Sequence, residues 1–178
     1  MNNREFKGWP KIHRLSRECI ITEKIDGTNS CVVIDEHEDI YAQSKNRIIT
    51  PDNDNFGFAQ WVIDNREDLS CLGIGYHFGE WWGNGIQRGY GIREKRFSLF
   101  NVIQLENRKV PDCCSLVPVL YRGIFDTDAV YHVMADLMSG GSRASPGFMN
   151  PEGVVIYHIS ANISFKKTIT NDEAKNQY

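Results

Sequence analysis

The chain has no long apolar run. Its most hydrophobic stretches, Cys31-Val32-Val33-Ile34 and Val154-Val155-Ile156-Tyr157, fall far short of the roughly 20 residues that cross a bilayer as a helix. Its opening residues, MNNREFKGWP, lack the apolar stretch of a secretory signal. A cytoplasmic setting with no membrane partner is therefore expected. The five cysteines, at 19, 31, 71, 113 and 114, are odd in number and contain no C-x-x-C pair, which argues against a disulfide framework and against a zinc site. Cys19 and Cys31 sit in strand-like runs and read as small core hydrophobes. The five histidines show no metal-ligand spacing.

Familiar phosphate motifs are missing too. There is no G-x-x-x-x-G-K-[ST], no G-x-S-x-G elbow and no kinase motif set. The segment Gly83-Asn84-Gly85-Ile86-Gln87-Arg88-Gly89 has one residue too many between its last glycines for a dinucleotide fingerprint. An excess of positive charge is also lacking: the net charge is −3, unlike the usual basic footprint of a nucleic-acid-binding domain. The charge is uneven, however. Arg88, Arg93, Lys95, Arg96, Arg108 and Lys109 crowd one stretch opposed only by Glu94 and Glu106, which leaves room for a local basic face.

What is present fits one folded unit. With 178 residues, 41% hydrophobic and 24% charged, the chain is long enough for one core and short for two, so residues 1–178 are read as a single domain. Runs rich in Val, Ile, Tyr and Phe, bounded by turn residues, predict strands over 19–24, 30–35, 39–45, 73–82, 96–103, 118–124, 153–159 and 162–167. One helix is expected to start near Asp52 to Asp54 and carry Phe58, Trp61 and Val62. A second starts at Asp126 or Thr127, aligns Val130, Val133, Met134 and Leu137, and stops at Gly140-Gly141, with Met134 and Met138 in the core. Strands joined by short turns mean a largely antiparallel α+β domain and exclude a doubly wound sheet.

The chemistry starts at Glu23-Lys24-Ile25-Asp26-Gly27-Thr28-Asn29, where K-x-D-G places an amine in a turn beside a carboxylate. An amine attacks only when neutral, and nearby cations favour that form. The tetrapeptide alone equally describes a strand entering a glycine turn, but it has company: Ser44-Lys45-Asn46-Arg47, Phe78-Gly79-Glu80, Phe97-Ser98-Leu99-Phe100-Asn101, Glu152-Gly153-Val154-Val155 and Phe165-Lys166-Lys167. Nucleotidyl transfer to a lysine needs a neutral amine, cations around the α-phosphate, a carboxylate for the metal and a clamp for the base. All four residue types are here.

The order of these segments is that of motifs I, Ia, III, IIIa, IV and V of the covalent nucleotidyltransferases. The sequence resembles the ATP-dependent polynucleotide ligases, and within them the RNA ligase family, whose first motif often reads E-K-x-D/H-G-T-N. The resemblance runs from about residue 22 to 167. It implies two packed, mainly antiparallel sheets with flanking helices and an ATP cleft between them, in a nucleotidyltransferase core without an appended domain. Carried over, Lys24 is the expected nucleophile and forms lysyl-AMP, with Glu23, Asp26 and Gly27 around the nucleotide. Arg47 contacts ribose and phosphate, Glu80 contacts the ribose, and Phe100 and Val155 clamp adenine. Glu152 holds Mg²⁺ or Mn²⁺, and Lys166 serves the α-phosphate, with Lys167 as helper. A strand alternates its side chains, so Lys166 and Lys167 reach one phosphate together only if the strand is bulged. Asn101 stands where the family usually has Asp, and Ser164 where it usually has the first motif V lysine.

The expected activity is Mg²⁺- and ATP-dependent joining of 3′-hydroxyl and 5′-phosphate ends in RNA, most simply at a nick in a duplex, by a monomer with an accessory protein as a candidate partner. Trp82, Gln87 and Arg88, in a glycine-rich aromatic-basic stretch, are the expected nucleic-acid contacts. A DNA nick ligase, a GTP-using capping enzyme and a non-catalytic nucleic-acid-binding module with the same fold are the rival readings.

Overall fold

The computed structural model describes residues 5–170. In chain order the strands are β1 (Glu18–Lys24), β2 (Thr28–Ile34), β3 (Ile40–Ser44), β4 (Ile48–Ile49), β5 (Gly75–Gly83), β6 (Lys95–Leu99), β7 (Cys114–Leu116), β8 (Val119–Ile124), β9 (Gly153–His158) and β10 (Ile163–Thr168). The helices are α1 (Phe58–Asp64), α2 (Arg66–Leu69), α3 (Val102–Leu105) and α4 (Thr127–Gly140). One sheet has the order β10-β9-β1-β8 and the other β4-β3-β2-β5-β6-β7. Every pairing is antiparallel except β6 with β7. This is the α+β architecture of two antiparallel sheets expected from the alternation of short strands and turns.

Each sheet buries one face under a helix. Val32, Ile34, Trp81, Phe97 and Leu99 pack with Phe58, Ala59 and Val62 of α1, while Cys19, Ile21, Val154 and Ile156 pack with Val130, Val133, Met134 and Leu137 of α4. The period-2 pattern of the strands and the 3.6-residue period of α4 put these side chains on facing surfaces. Asp126 caps α4 by accepting the Asp128 N–H at 3.1 Å, which satisfies one of its free donors. A smaller cluster of Ile25, Trp82, Tyr90 and Val117 fills the seam where β1 passes into β2.

Three local expectations need correction, and two short strands were not expected. The strand expected over 96–103 ends at Leu99, where the chain turns into α3. The helix expected from Asp52 begins only at Phe58, because Phe56 and Gly57 take positive φ after a short 3-10 turn at Pro51–Asn53. Met138 lies on the solvent side of α4 at 55% exposed, one turn beyond buried Met134. The short strands β4 and β7 have no sequence signal of their own, since two or three residues carry too little periodicity.

Candidate active site

Only Ile25, Asp26 and Gly27 separate the last residue of β1 from the first of β2, so Lys24 stands at the seam between the sheets. Its Nζ lies 2.6 Å from Glu152 Oε2, with side chains 25% and 16% exposed. The two residues are distant in sequence, but β9 lies beside β1 with Gly153 directly opposite Lys24. Simple alternation would put Glu152 on the helix side with Val154. Gly153 breaks that alternation with a φ of +154°, and a Cβ on it would run into the Lys167 carbonyl oxygen. Here a glycine is required by conformation and by space together.

Gly27 is required by space alone. A Cβ there would sit 2.5 Å from the Trp81 carbonyl and 2.8 Å from Trp82 Cβ. The close approach lets the Gly27 N–H donate to Glu80 Oε1 at 3.0 Å, while Asn29 Nδ2 donates to Oε2 at 3.1 Å. The positive φ that a glycine turn suggests is not the reason for this residue.

Glu80 is buried on the inward face of β5. Burial pushes its carboxyl up to about 7, opposed by the Lys24 charge and the Gly27 N–H and assisted by Glu152 and Asp26.

Register distinguishes the two C-terminal lysines. Thr22 pairs with Val155, which pairs with Lys166, while Glu23, Val154 and Lys167 form the next row. Lys24, Val155 and Lys166 therefore share one face of the sheet, and Glu23 and Lys167 the other. The Lys167 Nζ lies 5.6 Å from the Tyr131 ring centroid on α4, a cation–π contact on the far side from Lys24. Its expected place as a helper at the same phosphate does not hold, because β10 is regular and its side chains alternate.

Glu23 is likewise corrected. Its carboxylate is 1% exposed and accepts from Ser142 Oγ at 2.5 Å and from the N–H groups of Arg143 and Ala144 at 2.7 and 2.9 Å. It ties β1 to the loop after α4 rather than facing a nucleotide.

The expected nucleic-acid surface changes most. Trp82 is 1% exposed, with its indole N–H donating to Ser98 Oγ at 2.8 Å and its ring edge-on to Tyr90. Arg88 is a clamp: Nε donates to Asp26 Oδ2 at 2.8 Å, and Nη1 donates to the Asn150 carbonyl at 3.1 Å and side-chain oxygen at 3.0 Å. It joins the turn after Lys24 to the residues just before Glu152. The glycines of this loop fold it back onto the seam and bury Ile86 and Tyr90. Gln87 stays exposed, with a φ of 45°.

Phe100 follows β6, donates its N–H to the Phe78 carbonyl at 2.9 Å, and leaves its ring 40% exposed. Arg47 is exposed in the β3–β4 turn, where Nη1 donates to the Asn53 carbonyl at 2.9 Å. It makes no contact with Lys24. Residue reasoning missed Asn29, Tyr90, Ser142 and Asn150. Asn29 was visible in the E-K-I-D-G-T-N run. Tyr90, whose hydroxyl oxygen accepts the Asp26 N–H at 2.8 Å, had no signal beyond its place in an aromatic loop.

Among the described residues no three His, Cys, Asp or Glu side chains gather into a metal cage. The carboxylate of Glu152 beside Lys24 nonetheless suits a hard cation such as Mg²⁺, which takes one or two carboxylates and completes its shell with phosphate oxygens and water.

The family model described as RNA ligase matches residues 17–170. This chain belongs to the RNA ligase family. Among solved structures it is similar to Naegleria gruberi RNA ligase mutants, one with AMP and Mn at 20% identity and a TM-score of 0.60, another with ATP and Mn at 19% and 0.59. Each comparison covers 86% of this chain and 50% of the other. An archaeal ATP-dependent RNA ligase is similar at 16% identity and a TM-score of 0.61, covering 94% of this chain and 50% of that one. The chain thus spans about half the length of these structures, and at these identities they establish the fold. No curated protein matches.

Proposed function

We propose that this chain is the adenylating core of an ATP-dependent RNA ligase that works through Lys24. The observation that carries the reading is the 2.6 Å contact of Lys24 Nζ with Glu152, beside Glu80 and at the joint of two sheets. A mere scaffold has no need to bring an amine and two acids together at such a place.

Only the neutral amine has a lone pair to give, so before the attack Lys24 passes a proton to Glu152 or to water and separates from the carboxylate. Lys24 Nζ then forms a P–N bond to the α-phosphorus of ATP as the bond to the β-phosphate oxygen breaks and pyrophosphate leaves. A 5′-phosphate oxygen of the RNA next takes the AMP, breaking the P–N bond and restoring the amine. A 3′-hydroxyl finally attacks that activated phosphate and AMP departs, leaving a phosphodiester. Lys166, on the same face as Lys24, is the cation placed to offset charge on the α-phosphate. Phe100 and Val155 are assigned to the adenine, Arg47 to ribose and phosphate, Glu80 to the ribose, and Asp26 and Gly27 to the turn that carries the nucleophile. Glu152 would hold Mg²⁺ or Mn²⁺, which when bound polarises the phosphate oxygens and neutralises their charge.

Substrates are taken to be RNA 3′-hydroxyl and 5′-phosphate ends at a duplex nick, joined in the cytoplasm by a monomer with or without an accessory protein. No helix among the described residues is long and apolar enough to cross a membrane. The test is sealing of nicked RNA with ATP and Mg²⁺, beside a matched DNA nick. Sealing of RNA that is lost in Lys24→Ala supports the reading. Preference for the DNA nick makes it a DNA ligase, and failure on both strands despite a folded protein overturns it.

A further inference from the structure

We propose that residues 5–17 form an arm that grips a strand end frayed into single-stranded RNA at the break. The proposal rests on the RNA ligase reading and adds to it a binding element outside the site described above. Every residue of this segment is exposed, and residues 5–14 join no helix or strand. Phe6, Trp9 and Ile12 are 92%, 97% and 92% exposed, the most uncovered large apolar side chains among the described residues. A tryptophan that open contributes nothing to either core, whereas an aromatic face is what a nucleobase stacks on.

Charge points the same way. Between residues 5 and 17 four cations, Lys7, Lys11, Arg14 and Arg17, face a single acid, Glu5, in a chain whose net charge is −3. The basic stretch at 88–109 is partly consumed internally, by Arg88 on Asp26 and Arg96 on Glu94. Arg122 is likewise taken by Glu18 and Glu106. The four arm cations make no side-chain ion pair or hydrogen bond with any described residue. Rings alternating with uncommitted cations are the chemistry of a single-strand grip, stacking on bases and meeting phosphates. An anionic membrane would ask for an amphipathic helix, which this segment does not form.

The arm has a fixed root and enough reach. The Leu15 carbonyl lies 2.8 Å from His158 Nε2, and the Arg17 carbonyl accepts the Phe125 N–H at 2.8 Å. From that root β1 runs to Lys24, a distance of roughly 20 Å at strand rise. Ten extended residues cover up to about 33 Å, so the arm can follow a strand toward the seam.

The experiment compares the full chain with Phe6→Ala/Trp9→Ala and Lys7→Gln/Lys11→Gln variants. It measures anisotropy of a fluorescent 5′-phosphorylated single-stranded RNA over a salt series, with ATP adduct formation in parallel. The aromatic variant should bind at least about 5-fold more weakly, and the lysine variant should lower the slope of log K against log salt by about 1.4. Adduct formation should equal wild type in both, since neither variant touches the seam. RNA affinities within about twofold of wild type and an unchanged salt slope overturn the proposal. So does an effect confined to self-association in sedimentation, which makes the arm a contact between copies. Loss of adduct in the wild-type chain itself would count against the ligase reading and leave the arm's RNA affinity as a separate result.

Discussion

At the scale of single residues, the seam depends on atoms that cannot be spared or added. Gly27→Ala puts a methyl carbon against the Trp81 carbonyl, where only backbone movement relieves the clash. Overpacking of this kind costs about 1–3 kcal/mol, and it displaces the N–H that Glu80 accepts, so denaturant melts should show that loss together with a lower rate of adduct formation. Glu80 itself predicts a pH dependence. Its carboxyl is raised in the folded protein to about 7 from an ordinary 4.5, so the folded state holds the proton more tightly. The stabilisation from that proton is complete below pH 4.5 and is lost as pH rises through 7, about 3 kcal/mol in all. Glu80→Gln should flatten stability against pH across that window, and melts at several pH values will check it. An unchanged slope would mean that Glu80 is not the group responsible.

At the scale of elements, polar ties hold the strands and loops around the seam. Glu23 binds the loop after α4 to β1, and Glu23→Ala leaves the Ser142 hydroxyl and two backbone N–H groups without their acceptor. A cost of about 2–3 kcal/mol is expected from chemical unfolding. Arg88 ties the turn after Lys24 to the approach of Glu152. Arg88→Ala should lower the rate constant of adduct formation about tenfold, equivalent to roughly 1.4 kcal/mol, with little change in KM for ATP, and Arg88→Lys should recover part of it. A rise in KM alone would assign Arg88 to nucleotide binding instead. These ties also mark where sequence reading stops. β1, β2, α4 and the burial of Cys19 and Cys31 were legible because period and composition are local. The partners of Arg88, Glu23 and Trp82 were not, since a charged or aromatic residue in a glycine-rich loop reads as surface until the fold shows what it faces.

For the whole molecule, the legible part of the site was its roster, and the hidden part was its facing. The order of motifs named Lys24, Glu80 and Glu152, which the fold brings to one seam. It could not separate Lys166 from Lys167, because only the register of β10 on β9 decides which face each takes. Likewise, no local pattern shows that Gly153 turns Glu152 toward Lys24 and away from α4. Adenylation by this chain therefore requires one arrangement, an amine at the joint of two sheets with two acids beside it. Its most direct measurement is the intact mass of the protein after incubation with ATP and Mg²⁺, followed by peptide mapping. The predicted result is one added AMP located on Lys24 and absent from Lys24→Ala. No AMP adduct on a folded protein, or an adduct on another lysine, would contradict it.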